Sequence, residues 1–365
     1  MTPFAKKNRI IFIDLMRAIA VIQMIQGHTV DTFLADNFRT MNSSIFSLWY
    51  FMRGMTAPIF MFSAGTVFAY LLRLQNIPFK TNPRVKKGIK RFFLLVFLGY
   101  LLRYPTAKIL DFSNVTPDQW KTFFTVDVLH LIGFGILFIL ILAYFSEKLK
   151  MNDYVIFGSA ALIVFLISPF TEKINWVGFL PYQIAGYFYA GTGSLFPLIP
   201  WSGFVISGAV LGSYLANHPA VFKTKEFSYK LFLFGASFMV LAQVFNFIEI
   251  PIGGDAGWSS AIYLIFFRLG FVLTLNAVVA FICLKVDSIP RLIILLGRNT
   301  LLIYVVHLVL LYGSAWSPGL DQLFNRNLDL WTTLGSAGVM IMAMTFMVIL
   351  INKFKLRTKQ LVAAS

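Results

Sequence analysis

The chain has 365 residues, of which 58% are hydrophobic and only 13% charged, against about 25% charged in ordinary soluble domains. With a mean hydropathy of +0.76, that balance excludes a soluble globular enzyme and defines a polytopic membrane protein. The net charge of +16 raises a nucleic-acid partner as one explanation, which the placement of the basic residues must decide. A single cysteine, Cys283, excludes a disulfide framework and a thiolate metal cluster.

A spanning helix needs about 20 apolar residues, and runs of that kind occur at 10–30, 46–72, 92–110, 122–145, 152–168, 196–216, 231–250, 261–284, 292–313 and 331–351. The expected fold is therefore an all-α polytopic transmembrane helical bundle of about ten spans. No Ser/Pro/Gly-rich linker divides 1–365, so it reads as one membrane domain. The first run follows Lys6, Lys7 and Arg9, but it contains ionised residues, exceeds a signal-peptide core and lacks a small-residue cleavage site, so it reads as a retained span. Between the fifth and sixth runs, "INWVGFLPYQIAGYFYAGTGSL" (174–195) is aromatic but broken by Pro181 and four glycines. It is expected to be a re-entrant or interfacial segment, because irregular backbone at membrane depth must be shielded by protein or line a wet cavity.

With the N-terminus cytoplasmic, 21 of the 31 Lys and Arg fall in cytoplasmic segments, including Lys86, Lys87, Lys90 and Arg91, and five fall in the outer loops. This is the positive-inside bias of a ten-span chain with both termini in the cytoplasm, so the basic charge reports orientation and no nucleic-acid partner is expected. An integral protein of a bacterial inner (plasma) membrane is the expected setting, and small residues on helix surfaces permit a homodimer.

Ionisable groups inside spans cost roughly 2.5 to 3.5 kcal/mol each and are functional candidates by default. In "FIDLMRAIAVIQMIQGH" (12–28), helical geometry places Arg17 about 60° from Asp14 and His28 about 20° from Arg17, some 16 Å farther along the axis. The three form one stripe, while Gln23 and Gln26 point toward neighbouring helices. Asp14 with Arg17 reads equally as a pair that neutralises the helix for insertion. In the outer half lie Arg53, His130 one turn after Asp127 in "DVLH", Arg268, and His307 in "LGRNTLLIYVVH". Arg17 and Arg298 lie toward the inner side. His130 beside Asp127 reads first as a hydrogen-bonded structural histidine, whereas His28 has the setting of a base. The histidines lack the short spacing of a zinc site, so no metal is expected, and no Gly-x-Ser-x-Gly, Walker or EF-hand motif occurs.

Five stretches in order, "RIIFIDLMRAIAVIQMIQGH", "APIFMFSAGTVFAYLLR", "DVLHLIGFGILF", "FPLIPWSGFVISGAVLG" and "LGRNTLLIYVVH", make the chain resemble the heparan-alpha-glucosaminide N-acetyltransferase catalytic-domain family of transmembrane acyltransferases. The resemblance implies a helical bundle that moves an acyl group from cytosolic acyl-CoA to an acceptor across the membrane. It also implies that His28 is the catalytic residue, in a motif shared by Asp14 and Arg17. The family's Arg-Gly after the aspartate is here Arg17-Ala18.

The resulting expectation is an acyl-CoA-dependent acyltransferase, in the first instance an acetyltransferase, acting on a hydroxyl or amine of a glycan or lipid-linked acceptor at the outer face. Catalytic roles fall to His28 and to Asp31 as its orienting carboxylate. Arg53, Asp127, His130, Arg268 and His307 are oxyanion or acceptor-site candidates. Asp14, Arg17, Lys86, Lys87, Arg298 and Asn299 are acyl-CoA-binding candidates. Direct transfer and an acyl-histidine intermediate both fit. The rival reading is a proton-coupled secondary transporter of a small anionic or amphiphilic substrate, since Arg, Asp and His also build proton relays; no paired, inverted pattern of broken spans supports it.

Overall fold

The structure, a computed structural model, describes residues 10–247, 257–286 and 288–364, the side chains of 257–260 and 359–364 excepted. Lys6, Lys7 and Arg9, residues 248–250 at the end of the seventh predicted span, and the Lys359 side chain lie outside the described residues. Among the described residues the protein is helical throughout, with isolated β-bridges only. In chain order come α1 (Ile11–Phe33), α2 (Ser44–Arg73), α3 (Pro83–Leu102), α4 (Pro117–Phe123), α5 (Val128–Lys148), α6 (Asp153–Thr171) and α7 (Tyr182–Ala185). They are followed by α8 (Leu198–Asn217), α9 (Lys225–Phe247), α10 (Gly257–Lys285), α11 (Arg291–Arg298), α12 (Thr300–Tyr312), α13 (Asp321–Phe324) and α14 (Leu330–Ala364).

Among the described residues, eight of these helices are long and apolar enough to cross a membrane, nine if α11 and α12, bent by 74° at their junction, count as one broken span. The remaining predicted span, the third at 92–110, corresponds to α3, which begins and ends earlier. Asn82 accepts a hydrogen bond from the Arg84 amide and Pro83 occupies the first helical position, so the helix starts upstream of the apolar run. Its first half therefore carries Arg84, Lys86, Lys87, Lys90 and Arg91, and its uncharged part, 92–102, rises only about 16 Å against a hydrocarbon core of about 30 Å. The fourth predicted span, 122–145, divides in two. Asp127 caps the Val128 amide and starts α5 afresh after the separate turn of α4.

Residues 174–195 contain no helix long enough to span. They form two 3-10 turns, Trp176–Gly178 and Ala190–Thr192, on either side of the four-residue α7. They are tied to one another and to the residue before Asp127. The Leu195 amide donates to the Val126 carbonyl at 3.0 Å, the Val126 amide to Ser194 Oγ at 3.1 Å, and the Leu198 amide to the Tyr187 carbonyl at 2.7 Å.

The chain forms two compact units, Ile11–Thr56 with Val286–Ser365, and Ala57–Lys285. The division falls within α2 beside Pro58, which lacks the amide for a bond to the preceding turn. In the first, the α1 unit, α1 packs against α11, α12 and α14. Val30, Leu34 and Ala337 form a core with Phe46, Trp49 and Leu330. Gln23 Nε2 donates to the Met52 carbonyl at 2.8 Å and Trp49 Nε1 to Gln26 Oε1 at 3.0 Å, so both glutamines reach the neighbouring helix as expected.

In the second, the α5 unit, α8 meets the second part of α2 along a Gly-x-x-x-Gly face. A Cβ on Gly208 or Gly212 would strike the carbonyl of Phe62 or Thr66, and one on Gly65 would strike that of Val205. Small residues thus allow direct backbone contact, the usual means of tight association between apolar helices. A polar knot joins four of the unit's helices at one end. Arg73 at the end of α2 holds both carboxylate oxygens of Asp153 at 2.7 Å and donates to the Ala143 carbonyl of α5 at 3.2 Å. Asp153, the first residue of α6, also accepts from Ser146 of α5 at 2.6 Å and Ser213 of α8 at 2.7 Å.

Candidate functional site

The α1 unit gathers the larger share of the predicted site residues. His28 lies near the C-terminal end of α1, with its ring centroid 5.5 Å from that of His307 on α12. Its Nδ1 is 3.3 Å from the Tyr312 hydroxyl, and the Tyr312 ring stands edge-on at 6.0 Å. Gly313, at φ +75°, ends α12 immediately after Tyr312, a backbone conformation that side-chain-bearing residues seldom adopt.

His307 is fully buried. Its Nδ1 lies 2.8 Å from the Ile303 carbonyl. A carbonyl only accepts, so Nδ1 carries the proton and the neutral ring keeps its lone pair on Nε2. Among the described residues that Nε2 has no hydrogen-bond partner, so His307 presents a buried, unengaged acceptor beside His28.

Asp31, one turn beyond His28, forms an ion pair with Arg53 and a longer one with Arg39 Nη1 at 3.8 Å. Arg53 runs along Gly27, where an added Cβ would lie 3.7 Å from its Cγ, and so reaches Asp31 past the residue before His28. Arg39 closes the helix. Its guanidinium donates to the carbonyls of Leu34 at 2.9 Å and Asp31 at 2.6 Å, acceptors at the helix C-terminus, and at 3.2 Å to that of Val30, which also accepts the Leu34 amide. Burial, and next the nearby Arg326 guanidinium, hold the Arg39 pKa below the ordinary arginine value. Asp31 was expected to orient His28. The structure engages its carboxylate with two arginines and places Tyr312 at the imidazole.

The inner candidates meet at the break between α11 and α12. Arg17 Nη2 donates to Thr300 Oγ1 at 2.7 Å, at the first residue of α12. Asn299 forms the bend, and its side-chain amide caps the Leu295 carbonyl at 2.8 Å. Arg298 ends α11 and is exposed. Gly297 brings α11 into backbone contact with α1, for a Cβ there would strike the Asp14 carbonyl and crowd the Ala18 amide. These are main-chain atoms that cannot swing away, and overpacking of this kind costs about 1 to 3 kcal/mol. Gly297→Ala should therefore lower the thermal unfolding temperature in detergent; an unchanged temperature would show that α1 and α11 can part without loss. The start of a helix carries partial positive charge, and Arg17 and Arg298 add to it, so the locus is suited to an anion.

The α5 unit holds the others, in arrangements with a structural explanation. The Asp127 backbone amide donates to His130 Nδ1 at 3.2 Å, completing a capping box, while its carboxylate caps Val128 and pairs with Arg103 at 3.1 Å. His130 Nδ1 is thus an acceptor and its Nε2 carries the proton, the opposite tautomer to His307. The buried His130 ring stands edge-on to Tyr100 at 4.4 Å. The Tyr100 hydroxyl lies 2.8 Å from that of Tyr187, whose pKa burial and that hydrogen bond push above the ordinary phenol value. The Arg268 guanidinium lies 5.3 Å from the Trp201 ring centroid. Lys86 and Lys87 are exposed on α3. Among the described residues no group of three His, Cys, Asp or Glu is placed to hold a metal ion.

Helices of this length and apolarity define a multi-pass membrane protein, and the His28 cluster gives it a polar site where an apolar bundle has no structural need of one. The chain belongs to the heparan-alpha-glucosaminide N-acetyltransferase catalytic family, whose model matches residues 9–244, more than half of its length, and is thereby an enzyme of acetyltransferase type. No curated protein matches it. The match includes α1 with His28 and stops within α9, so His307, Tyr312 and the broken α11–α12 pair lie beyond it.

Proposed function

We propose that the protein transfers an acetyl or other short acyl group from cytosolic acyl-CoA to a hydroxyl or amine of a glycan or lipid-linked acceptor at the opposite face of the membrane. The observation that carries this reading is the pairing of His28 with His307 and Tyr312 at one level of α1, and of Arg17 with the start of α12 at another. The two levels are about 16 Å apart at the helical rise, a distance that a pantetheine arm bridges. Family membership favours acyl transfer over proton-coupled transport. The orientation consistent with the charge bias has both termini in the cytoplasm, with α3 as the tenth crossing and its Lys- and Arg-rich first half at the cytoplasmic surface.

In this mechanism Arg17, Arg298 and the first amides of α12 receive the CoA phosphates. The acceptor hydroxyl or amine attacks the thioester carbonyl carbon while the His28 imidazole takes its proton, and Tyr312 holds the ring in place. His307 Nε2 accepts a hydrogen bond from the acceptor and orients it. Arg53, beside Gly27, faces the negative charge that develops on the carbonyl oxygen. Collapse of the tetrahedral intermediate breaks the C–S bond, and the imidazolium returns its proton to the departing CoA thiolate.

Acetyl-CoA should raise the unfolding temperature of the purified wild-type protein saturably. Arg17→Gln should weaken that stabilisation by about ten- to a hundredfold in apparent affinity, the worth of one charge-assisted contact. No stabilisation of the wild-type protein, together with solute flux driven by a pH gradient, would contradict the proposal and favour a transporter.

A further inference from the structure

We propose that a second site, in the α5 unit, holds one acyl chain of an anionic phospholipid with its phosphate at Lys230. A cavity of about 520 Å³ lies between α6, α8, α9 and α10, within the range of small-molecule pockets. Its two ends differ in chemistry. Tyr154 in the first turn of α6, Tyr214 near the end of α8 and Lys230 early in α9 meet at one end. Phe165, Phe238 and Phe266 close the other, with ring centroids 6.4 Å apart between Phe165 and Phe266 and 5.7 Å apart between Phe238 and Phe266. Tyr154 and Phe165 are eleven residues apart on one helix, so the cavity runs about 16 Å between its polar and apolar ends. An elongated apolar slot with polar groups at one mouth matches an amphiphile and lacks the convergent polar contacts that would orient a water-soluble ligand.

Two features select a membrane lipid with a negative head. The rim residues Leu162 and Phe234 are 45% and 66% exposed, on helices apolar enough to face hydrocarbon. Lys223, in the 3-10 turn before α9, and Lys225, its first residue, precede Lys230 by seven and five residues, and basic residues at a membrane surface favour anionic over zwitterionic headgroups. Lys230 pairs with Glu226 at 2.7 Å in an exposed contact, the kind of surface pair that contributes little and yields readily to a phosphate. Asn217 Nδ2 donates to the Tyr154 hydroxyl at 3.0 Å, which leaves the hydroxyl proton available for a phosphate oxygen.

Gly158 provides the test, because it lines the cavity and a Cβ built on it meets nothing within 4 Å. A large side chain there enters the cavity and not the packed helix interface. Native mass spectrometry of the detergent-purified protein, titrated with phosphatidylglycerol, phosphatidylcholine or oleate, should show one phosphatidylglycerol retained about tenfold more strongly than phosphatidylcholine. Gly158→Phe should abolish that retention, and Lys230→Gln, an exposed change that leaves the fold intact, should make the two phospholipids equivalent. Equal retention of both phospholipids by the wild type, oleate bound in place of phospholipid, or undiminished retention by Gly158→Phe would each overturn the proposal. Coenzyme A does not enter this experiment, so its outcome is independent of the acyl-transfer reading.

Discussion

Asp153→Ala is expected to destabilise the protein by about 3 kcal/mol or more, the cost of leaving one partner of a buried ion pair uncompensated. The side chains of Arg73 and Asp153 are only 15% and 11% exposed, so water screens them little. The loss extends beyond the pair itself. Ser213 loses its acceptor and Ser146 is left with the Met151 carbonyl alone, and with Asp153 goes the carboxylate that ties α6 to the ends of α2, α5 and α8. Thermal unfolding in detergent measures the effect. Replacing both charges, Arg73→Met with Asp153→Leu, should recover part of the loss, because paired removal leaves no buried charge behind. An Asp153→Ala protein as stable as the wild type would mean that the knot contributes nothing to the fold.

His28→Ala is expected to lower acyl-transfer turnover by about 10²- to 10⁴-fold, the usual contribution of a positioned general base, with little change in stability. The second half of that expectation follows from the structure. His28 is only half-buried and its partner Tyr312 is 44% exposed, so water can take the place of the imidazole at the Tyr312 hydroxyl. Turnover and unfolding temperature measured on the same preparation separate the two effects. A parallel fall in both would reduce His28 to a packing residue, and retained turnover would remove it from the chemistry.

Much of this arrangement was legible in the sequence. The stripe of Asp14, Arg17 and His28 follows from helical geometry, and the irregular course of 174–195 follows from its proline and glycines. The partners of that stripe were harder to see. Tyr312 and Thr300 lie almost three hundred residues from His28 and Arg17, and no local pattern connects them. Asn299 reads in the sequence as a binding candidate within a continuous span, whereas the bend places it at a helix junction, where its side chain caps Leu295. Nothing local marks Arg73, just past the second predicted span, as the partner of a carboxylate eighty residues away, yet folding makes it one. α3 was misplaced because hydropathy finds where a chain is apolar, whereas Asn82 and Pro83 determine where the helix begins. The opposite tautomers of His130 and His307 depend on which backbone group faces each Nδ1, and the sequence does not encode that legibly.

The central claim is that His28 promotes acyl transfer from acyl-CoA, and the release of CoA thiol from acetyl-CoA tests it most directly. Wild-type and His28→Ala proteins, reconstituted in vesicles, would be supplied with acetyl-CoA and with glucosamine as a probe amine, and free thiol followed over time together with acetylated amine. The account predicts matched, acceptor-dependent appearance of both products with the wild-type protein and loss of both with His28→Ala. Equal rates from the two proteins, both well above the rate in protein-free vesicles, would contradict it.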